Sequence, residues 1–349
     1  MILHVFNTEL ERVGILDNYL SVAWEEDYHG RGNFLLVCVD SPQNIALLQQ
    51  GWYIYRTEKE TAMVIRYVKY ESAVNQITIR GYTTNDLLKQ RIVYPSKNVY
   101  NVENGMYSIV ADNRRGLPKH VNSSATGISG TFEKQFTGDE VTEALSVLGK
   151  ESQIGYYTKF DHRNKQHVFT VYQGKDRTIG KPDSFGFFST EYGNLANTII
   201  VDDMSIFKNV SYVGGAGEGS ARKWVVVGDV AGIDRFEMYV DARDIQPDEE
   251  SGETVNSPAY IQRLTARGIQ KLNEQIRVKT FIAEVDPAGF GRDFYLGDIV
   301  SCKSIKYGVQ INTRILHYAE VREGGKTKLS LTLGEPEITT LQEVKTWLN

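Results

Sequence analysis

From Phe236 to Val240 the chain alternates strictly. Phe236, Met238 and Val240 point one way, and Arg235, Glu237 and Tyr239 point the other. A period of two places these sets on opposite faces of a strand. The stretch before it, from Asn209, is strand-like at both ends and holds the glycine cluster Gly214-Gly215-Ala216-Gly217-Glu218-Gly219-Ser220 between them. Residues 1–94 read as many short strands: Ile2–Phe6, Val13–Leu16, Leu20–Trp24, Phe34–Val39, Trp52–Arg56, Met63–Val68 and Gln76–Tyr82. Turn residues such as Gly30-Arg31-Gly32-Asn33 separate them. A short helix is predicted over Pro42–Gln50, with Ser41 as N-cap and Pro42 in the first helical position. A second should follow Tyr82, capped by Thr83 or Thr84 with Leu87 and Leu88 inward. Strands at this spacing predict a small barrel or sandwich.

Residues 95–175 change character. Asn113 to Gly130 reads as loop around a short strand. Thr137 and Glu140 have the spacing of a capping box, and Phe136 and Val141 that of a hydrophobic staple. Val141, Ala144, Leu145 and Leu148 then recur on one helical face, with Gly149 as the expected stop. A hairpin follows, Ile154–Phe160 and Gln166–Tyr172, around a polar turn. Gln246 to Asn256 reads as an acidic exposed loop, and Ser257-Pro258 opens a long helix. Its buried face should carry Ile261, Leu264, Gly268, Leu272 and Ile276. A glycine inside a helix costs about 1 kcal/mol relative to alanine, so Gly268 predicts close packing. Strands resume at Val278–Val285, and a long run from Val309 to Val321 ends at a Gly324-Gly325 turn. Leu341–Leu348 has the pattern of a short docking helix.

One three-strand layout occurs twice. The first runs from Gly51 to Gly81 and the second from Gly297 to Gly334. The expected fold class is α+β, mostly β, with two small β-barrels and two α+β insert domains. The first barrel is placed at 1–94 and a small α+β domain at 95–175. The second barrel is placed at 176–245 plus 279–335, a helical insertion at 246–278 and a C-terminal helix or tail at 336–349.

Composition narrows the function classes. The 349 residues exceed one ordinary core, and 41% apolar with 24% charged residues is a soluble, globular balance. The formal net charge of −5 argues against a basic, phosphate-neutralising nucleic-acid binder. It suits a channel through which DNA slides without sticking. Cys38 and Cys302 lie in apolar strand-like runs and are expected as buried free thiols. The N-terminal apolar run is too short for a signal peptide, and no run reaches the roughly 20 residues of a membrane span. Synthesis in a cytoplasm is the expectation.

Candidate chemistry is thin. The glycine run lacks the Lys-Ser/Thr of a phosphate loop and is followed by strand text at Trp224–Val227. Among the six histidines, His4, His29, His120, His162, His167 and His317, only His162 and His167 are close, with no third ligand at metal spacing. The carboxylates of Glu25-Glu26-Asp27, Asp202-Asp203 and Asp241 with Asp244 fit solvated faces or ion pairs better than a hydrolytic pair. Trp24 and Tyr28 could form a sugar platform, although core packing or a subunit contact suits them better. No catalytic, cofactor-binding or metal-binding residue is therefore expected, nor any cofactor or enzymatic activity.

Several segments, in order, resemble one family. They include Val13-Gly14-Ile15-Leu16-Asp17-Asn18-Tyr19, Tyr28-His29-Gly30-Arg31-Gly32-Asn33-Phe34, Ile154-Gly155-Tyr156 and Val171-Tyr172-Gln173-Gly174-Lys175-Asp176-Arg177-Thr178. Phe188-Ser189-Thr190-Glu191-Tyr192-Gly193-Asn194-Leu195, Asp241-Ala242-Arg243-Asp244, Leu296-Gly297-Asp298-Ile299-Val300 and Ile311-Asn312-Thr313-Arg314-Ile315 continue the series. Together they resemble the tail-tip hub, or tail-associated, proteins of long-tailed siphophages, a family similar to the baseplate hub of contractile phages. The resemblance implies a structural virion protein forming a homotrimer at the tail tip or baseplate. Such a hub adapts a six-fold tail tube to a three-fold tip and lines a channel for the tape-measure protein and DNA. Implied partners are distal tail and tail-tube proteins, the tape-measure protein, and tip, receptor-binding or lytic proteins. DNA would pass transiently without specific binding. Some family members carry a long C-terminal extension; this chain ends soon after its last strand, so lytic or receptor-binding activity is expected from another protein. Assembly would occur in the bacterial host cytoplasm. The competing reading is a β-rich cell-wall glycan hydrolase or carbohydrate-binding protein.

Overall fold

The computed structural model describes residues 2–117, 119–184, 187–248 and 252–334. The strands expected early in the chain are present: β1 (Leu3–Phe6), β2 (Arg12–Leu16), β3 (Tyr19–Asp27), β4 (Asn33–Val39), β5 (Tyr53–Tyr55), β6 (Ala62–Glu71) and β7 (Gln76–Thr83). Helix α1 (Pro42–Leu47) interrupts them, and Ser41 Oγ accepts from Asn44 N at 3.2 Å, as its cap position predicts. Alternation does the sorting: Phe34, Leu36 and Cys38 of β4 are buried. After Tyr82 comes a 3₁₀ turn, Thr84–Gln90, that buries Leu87 and Leu88. Its flanking threonine makes no cap bond; Thr84 Oγ1 donates to Thr158 O instead.

Residues 97–172 hold β8 (Lys97–Asn101), α2 (Val102–Asn113), β9 (His120–Asn122), β10 (Thr131–Phe136), α3 (Val141–Ser152), β11 (Gly155–Asp161) and β12 (Gln166–Tyr172). Met106, Ile109, Leu145, Leu148 and Phe169 meet in one core. The β11–β12 hairpin falls where the alternation placed it. The capping box does not form. Glu140 is the N-cap without a side-chain cap bond, and the N–H of Val141, the first helical residue, donates to Arg91 O. Gly149 does not end α3 either. The helix runs on to Ser152 and stops at Gln153 in the left-handed region. Gly149 is there because a Cβ would lie 2.7 Å from Ile154 O.

The remaining elements are β13 (Phe187–Ser189), β14 (Leu195–Asp203), β15 (Val210–Gly214), β16 (Trp224–Val227), β17 (Glu237–Asp241), α4 (Pro258–Asn273), β18 (Val278–Val285), β19 (Ile299–Ser304), β20 (Val309–Glu323) and β21 (Lys326–Leu333). Among the described residues two compact units result: residues 2–199 with 281–334, and residues 200–280.

The larger unit corrects the expectation of two separate barrels. Its main sheet runs β18-β21-β20-β3-β4-β7-β6-β5-β1-β2. Strand β3 has β4 on one edge, and β20 takes the other edge over Ser21–Asp27. An occupied edge cannot also close a barrel on β2, so the first and last thirds share one sheet. The repeated layout is present within it. Strands β5-β6-β7 and β19-β20-β21 are both consecutive antiparallel meanders. Each middle strand is irregular between its two partners, at Ile65/Tyr67 in β6 and at Ile315/His317 in β20. The β20–β21 link is a two-residue turn, Gly324-Gly325, with both φ positive (54° and 78°), the backbone that tight hairpins require.

In the smaller unit β15 lies between β16, antiparallel, and β17, parallel. Helix α4 covers one face through Tyr260 and Leu264, with Gly268 against Val213 and Val227. Strands 210–241 and helix 258–273 thus form one piece. They do not divide into barrel (176–245 plus 279–335) and insertion (246–278) as expected, because the helix supplies the cover for those three strands. Tyr260, not Ile261, leads the buried face, and Ile276 lies exposed beyond the helix end. The expected helix at Leu341–Leu348 falls outside the described residues.

Candidate functional site

Three arrangements in the larger unit bring sequence-distant residues together. The first centres on Arg56, after β5. Its guanidinium lies 5.4 Å from the Trp24 ring and meets Glu320 of β20 bidentately, at 2.9 and 3.0 Å. Arg56 Nε also donates to Glu58 at 2.7 Å. Trp24 Nε1 and Thr61 Oγ1 both donate to Glu26 Oε1, at 3.0 and 3.1 Å. Lys59 donates to Tyr318 OH and lies 4.3 Å from that ring and 5.2 Å from Phe290. Burial pulls the Lys59 ammonium below its usual range. Ion pairs, cation–π contacts and hydrogen bonds thus tie β3 and the β5–β6 turn to β20.

The second arrangement is built on Tyr28. It is fully buried, and a Cβ at either Gly155 or Gly297 would collide with its ring. Gly174 N donates to its hydroxyl at 3.3 Å, and Arg314 lies 5.4 Å from the ring. Beside it, Asp298 accepts from Arg177 Nε, Lys175 N and Tyr295 N. Four of the segments quoted above, around Tyr28, Gly155, Gly174 and Gly297, therefore meet at one ring.

The third is a cavity of about 930 Å³ walled by Glu26, Asp27, Arg56, Lys59, Tyr157 and Tyr318 among others. Burial raises the Asp27 carboxyl above its ordinary value, against the nearby His317 and the His29 N–H that it accepts at 2.8 Å. For Glu58, also on the wall, burial works upward but its backbone hydrogen bond and Arg56 outweigh it and hold the group low.

The other candidates scatter. Trp24 and Tyr28 are fully buried, so neither offers a sugar platform. The glycine cluster joins β15 to β16, and Arg222 donates to the carbonyls of Gly214 and Gly215. His167 and His120 are buried side by side, ring centroids 6.5 Å apart, while His162 packs on Phe6 and Tyr55. Burial lowers His120 to about 4 and His167 to about 3. Asp241 is held by Arg243 and Arg222, Asp244 by Arg267, and Asp202 by Arg277. The hydrogen bond from Arg243 lowers Asp241 to about 2. Glu25 lies 3.6 Å from His317. Cys38 and Cys302 are buried free thiols, pushed up by burial to about 11 and about 12. Among the described residues no group of three His, Cys, Asp or Glu side chains is placed to hold a metal ion, and no helix is long and apolar enough to cross a membrane. Sequence reading passed over Arg56, Lys59 and Glu320. Arg56 and Lys59 lie in a charged turn, Arg56-Thr57-Glu58-Lys59-Glu60, that reads as solvated, and Glu320 is one acid within a strand.

A family model described as Siphovirus ReqiPepy6 Gp37-like protein matches residues 2–335. No curated protein matches the chain. Among solved structures, the tail protein from Neisseria meningitidis MC58 is similar at TM-score 0.62 and 12% identity, over 95% of this chain and 96% of that one. The 43 kDa tail protein of prophage MuSo2 from Shewanella oneidensis is similar at 0.60 and 12%, over 95% and 98%. Prophage tail protein gp18 from Listeria monocytogenes EGD-e is similar at 0.57 and 11%, over 98% and 97%. At these identities the likeness is one of fold, and it runs the length of both chains.

Proposed function

Because this chain belongs to the Siphovirus ReqiPepy6 Gp37-like protein family, we propose that it is a structural virion protein of the tail tip or baseplate. Three copies form a ring there, below the tail tube, and the ring passes the tape-measure protein and then DNA. The observation that carries this reading is the doubled meander, β5-β6-β7 and β19-β20-β21, inside one sheet. Two similar units per chain give six per trimer. A trimer so built can face a six-fold tube on one side and a three-fold tip on the other. Neighbouring tail-tube, distal tail and tip proteins are the partners. The net charge of −5 suits a bore that repels phosphate, since duplex DNA carries a charge about every 1.7 Å and would stick to a basic wall. Cryo-microscopy of the intact particle tests this. Three copies around an axial bore poor in Lys and Arg are expected; six copies, or a peripheral position, would overturn it.

One observation favours a second reading, glycan hydrolysis. Asp27 and Glu58 line one cavity with displacements of opposite sign, a pattern that acid–base chemistry uses. Against it, Glu58 is bonded to Arg56, which is itself clamped to Glu320. We expect no release of fragments from purified peptidoglycan. Saturable turnover that disappears in Asp27→Asn would establish the hydrolase instead.

A further inference from the structure

The smaller unit has a sheet face that α4 does not cover. Strand register puts Val226, Tyr212 and Tyr239 in one row of that face and Trp224, Gly214 and Asp241 in the next. Trp224, Val226 and Tyr239 are 46%, 50% and 52% exposed. The Trp224 and Tyr239 rings stand 5.8 Å apart at 52°. With Tyr212 and Glu237 they bound a shallow, open hollow. Gly214 leaves the middle of the face without a side chain. Arg222 lies across that gap, 5.2 Å from the Trp224 ring and 5.6 Å from the Tyr239 ring.

The charges on this face are already spent. Arg222 donates to Gly214 O, Gly215 O and Asp241. Arg235 donates to Glu237, to Val230 O and to the Tyr212 hydroxyl. Arg243 is paired with Asp241. A phosphate or an acidic peptide would have to break these pairs to gain a cation. A neutral ligand rich in C–H groups would not.

We propose that this face binds a neutral pyranose oligosaccharide, its C–H faces stacked on Trp224 and Tyr239 and its hydroxyls turned to water. The face of an aromatic ring is its negative side, and sugar C–H groups carry partial positive charge, so the two attract. The rings are held by cation–π contacts before any ligand arrives, which reduces the ordering that binding requires. This face alone is too small for a stable protein interface. Three strands about 4.8 Å apart and about five residues long expose roughly 200 Å². A stable protein interface needs about 800 Å² per partner. This site is independent of the hub reading, since a tail protein of any position could carry it.

The test is isothermal titration of the full chain with chitotetraose, cellotetraose and maltotetraose up to about 10 mM. At least one should bind. Trp224→Ala and Tyr239→Ala should each weaken it by about tenfold or more, with circular dichroism unchanged. Trp224→Phe should retain part of the affinity. Absence of binding by all three sugars, or binding unchanged in Trp224→Ala, overturns the proposal. So does self-association that Trp224→Ala abolishes, because the face would then belong to a second copy.

Discussion

Trp24 in the larger unit and Trp224 in the smaller carry the same dressing and end in opposite surroundings. Each has an arginine about as close to its ring, Arg56 at 5.4 Å and Arg222 at 5.2 Å, and each arginine holds a carboxylate from another strand. Yet Trp24 is fully buried and Trp224 is 46% exposed. The side chains of Arg56 and Glu320 are 7% and 17% exposed, against 16% and 42% for Arg222 and Asp241. The residue set does not fix the role; the dielectric around it does. Buried, the set joins β5 to β20 within one sheet. Exposed, it stiffens a surface that can meet a ligand.

The widest separation between the two should appear on truncating the rings. Trp24→Ala removes a buried indole and leaves a cavity in the shared sheet, at a cost of about 3–5 kcal/mol. Trp224→Ala removes no comparable packing and should cost less than about 1 kcal/mol. Urea denaturation of both variants measures this. Equal costs would mean that the outer face of the smaller unit is covered in the folded protein.

The arginines give the next contrast. Arg56→Met strands Glu320 in a mostly buried place, and breaking such a pair costs about 3 kcal/mol. Adding Glu320→Leu should return a good part of that loss, because two apolar groups leave no charge unpaired. Arg222→Met breaks a solvent-screened pair and should cost less than about 1 kcal/mol. A thermal-melt series of the three variants decides it. If Arg222→Met costs as much as Arg56→Met, burial is not what separates the two sets.

Acid should also tell the units apart. All six histidines lie outside residues 200–280. Burial lowers His29 to about 3, His120 to about 4 and His167 to about 3. Their folded values lie below the unfolded value near 6.5, so the neutral rings stabilise the fold fully above that pH. The stability is lost as pH falls through the window toward the folded values. Between pH 7.5 and 5 the larger unit should lose about 2 kcal/mol from this source, allowing for relaxation around the rings. The carboxylates of the smaller unit, such as Asp241 near 2, begin to lose their pairs only at lower pH. Hydrogen exchange at pH 5 should therefore quicken first in residues 97–172. His167→Phe should flatten that response; an unchanged response would assign the acid limb to other groups.

The sequence made local structure legible where one rule dominated. Alternation located the β11–β12 hairpin and the two faces of β17, the Ser41-Pro42 signal located α1, and Gly268 announced close packing. Helix α2 escaped because Gly105 and two asparagines, Asn104 and Asn113, dilute its pattern. Gly105 is there because Val99 fills the place of its Cβ. The capping box at Thr137 misled because the helix starts later: Glu140 is its N-cap, and Asp139 Oδ2 accepts the Thr137 N–H that Glu140 would have taken in the box. The shared sheet was out of reach for a deeper reason. Pairing of β3 with β20 joins residues such as Trp24 and Glu320, and no local pattern states which strand lies on a distant edge. The same holds for Arg56, whose partner Glu320 looks in sequence like any strand-edge acid.

The smallest effect tests the other face of the smaller unit, where α4 meets the sheet. Two forces oppose each other at Gly268. Alanine in a helix interior is favoured over glycine by about 1 kcal/mol. A Cβ there, however, would lie 2.7 Å from Val227 Cγ2, 2.8 Å from Val213 Cγ2 and 2.9 Å from Ser211 Oγ. Both valines are β-branched and stiff at χ1, so the helix must move or a rotamer must be strained. Overpacking of this kind costs about 1–3 kcal/mol. The packing term wins, and Gly268→Ala should destabilise the smaller unit by about 1 kcal/mol. A stabilised variant in urea denaturation would show that α4 can lift without loss. The sheet would then be loosely held on its buried side too, and the contrast between its two faces would fail.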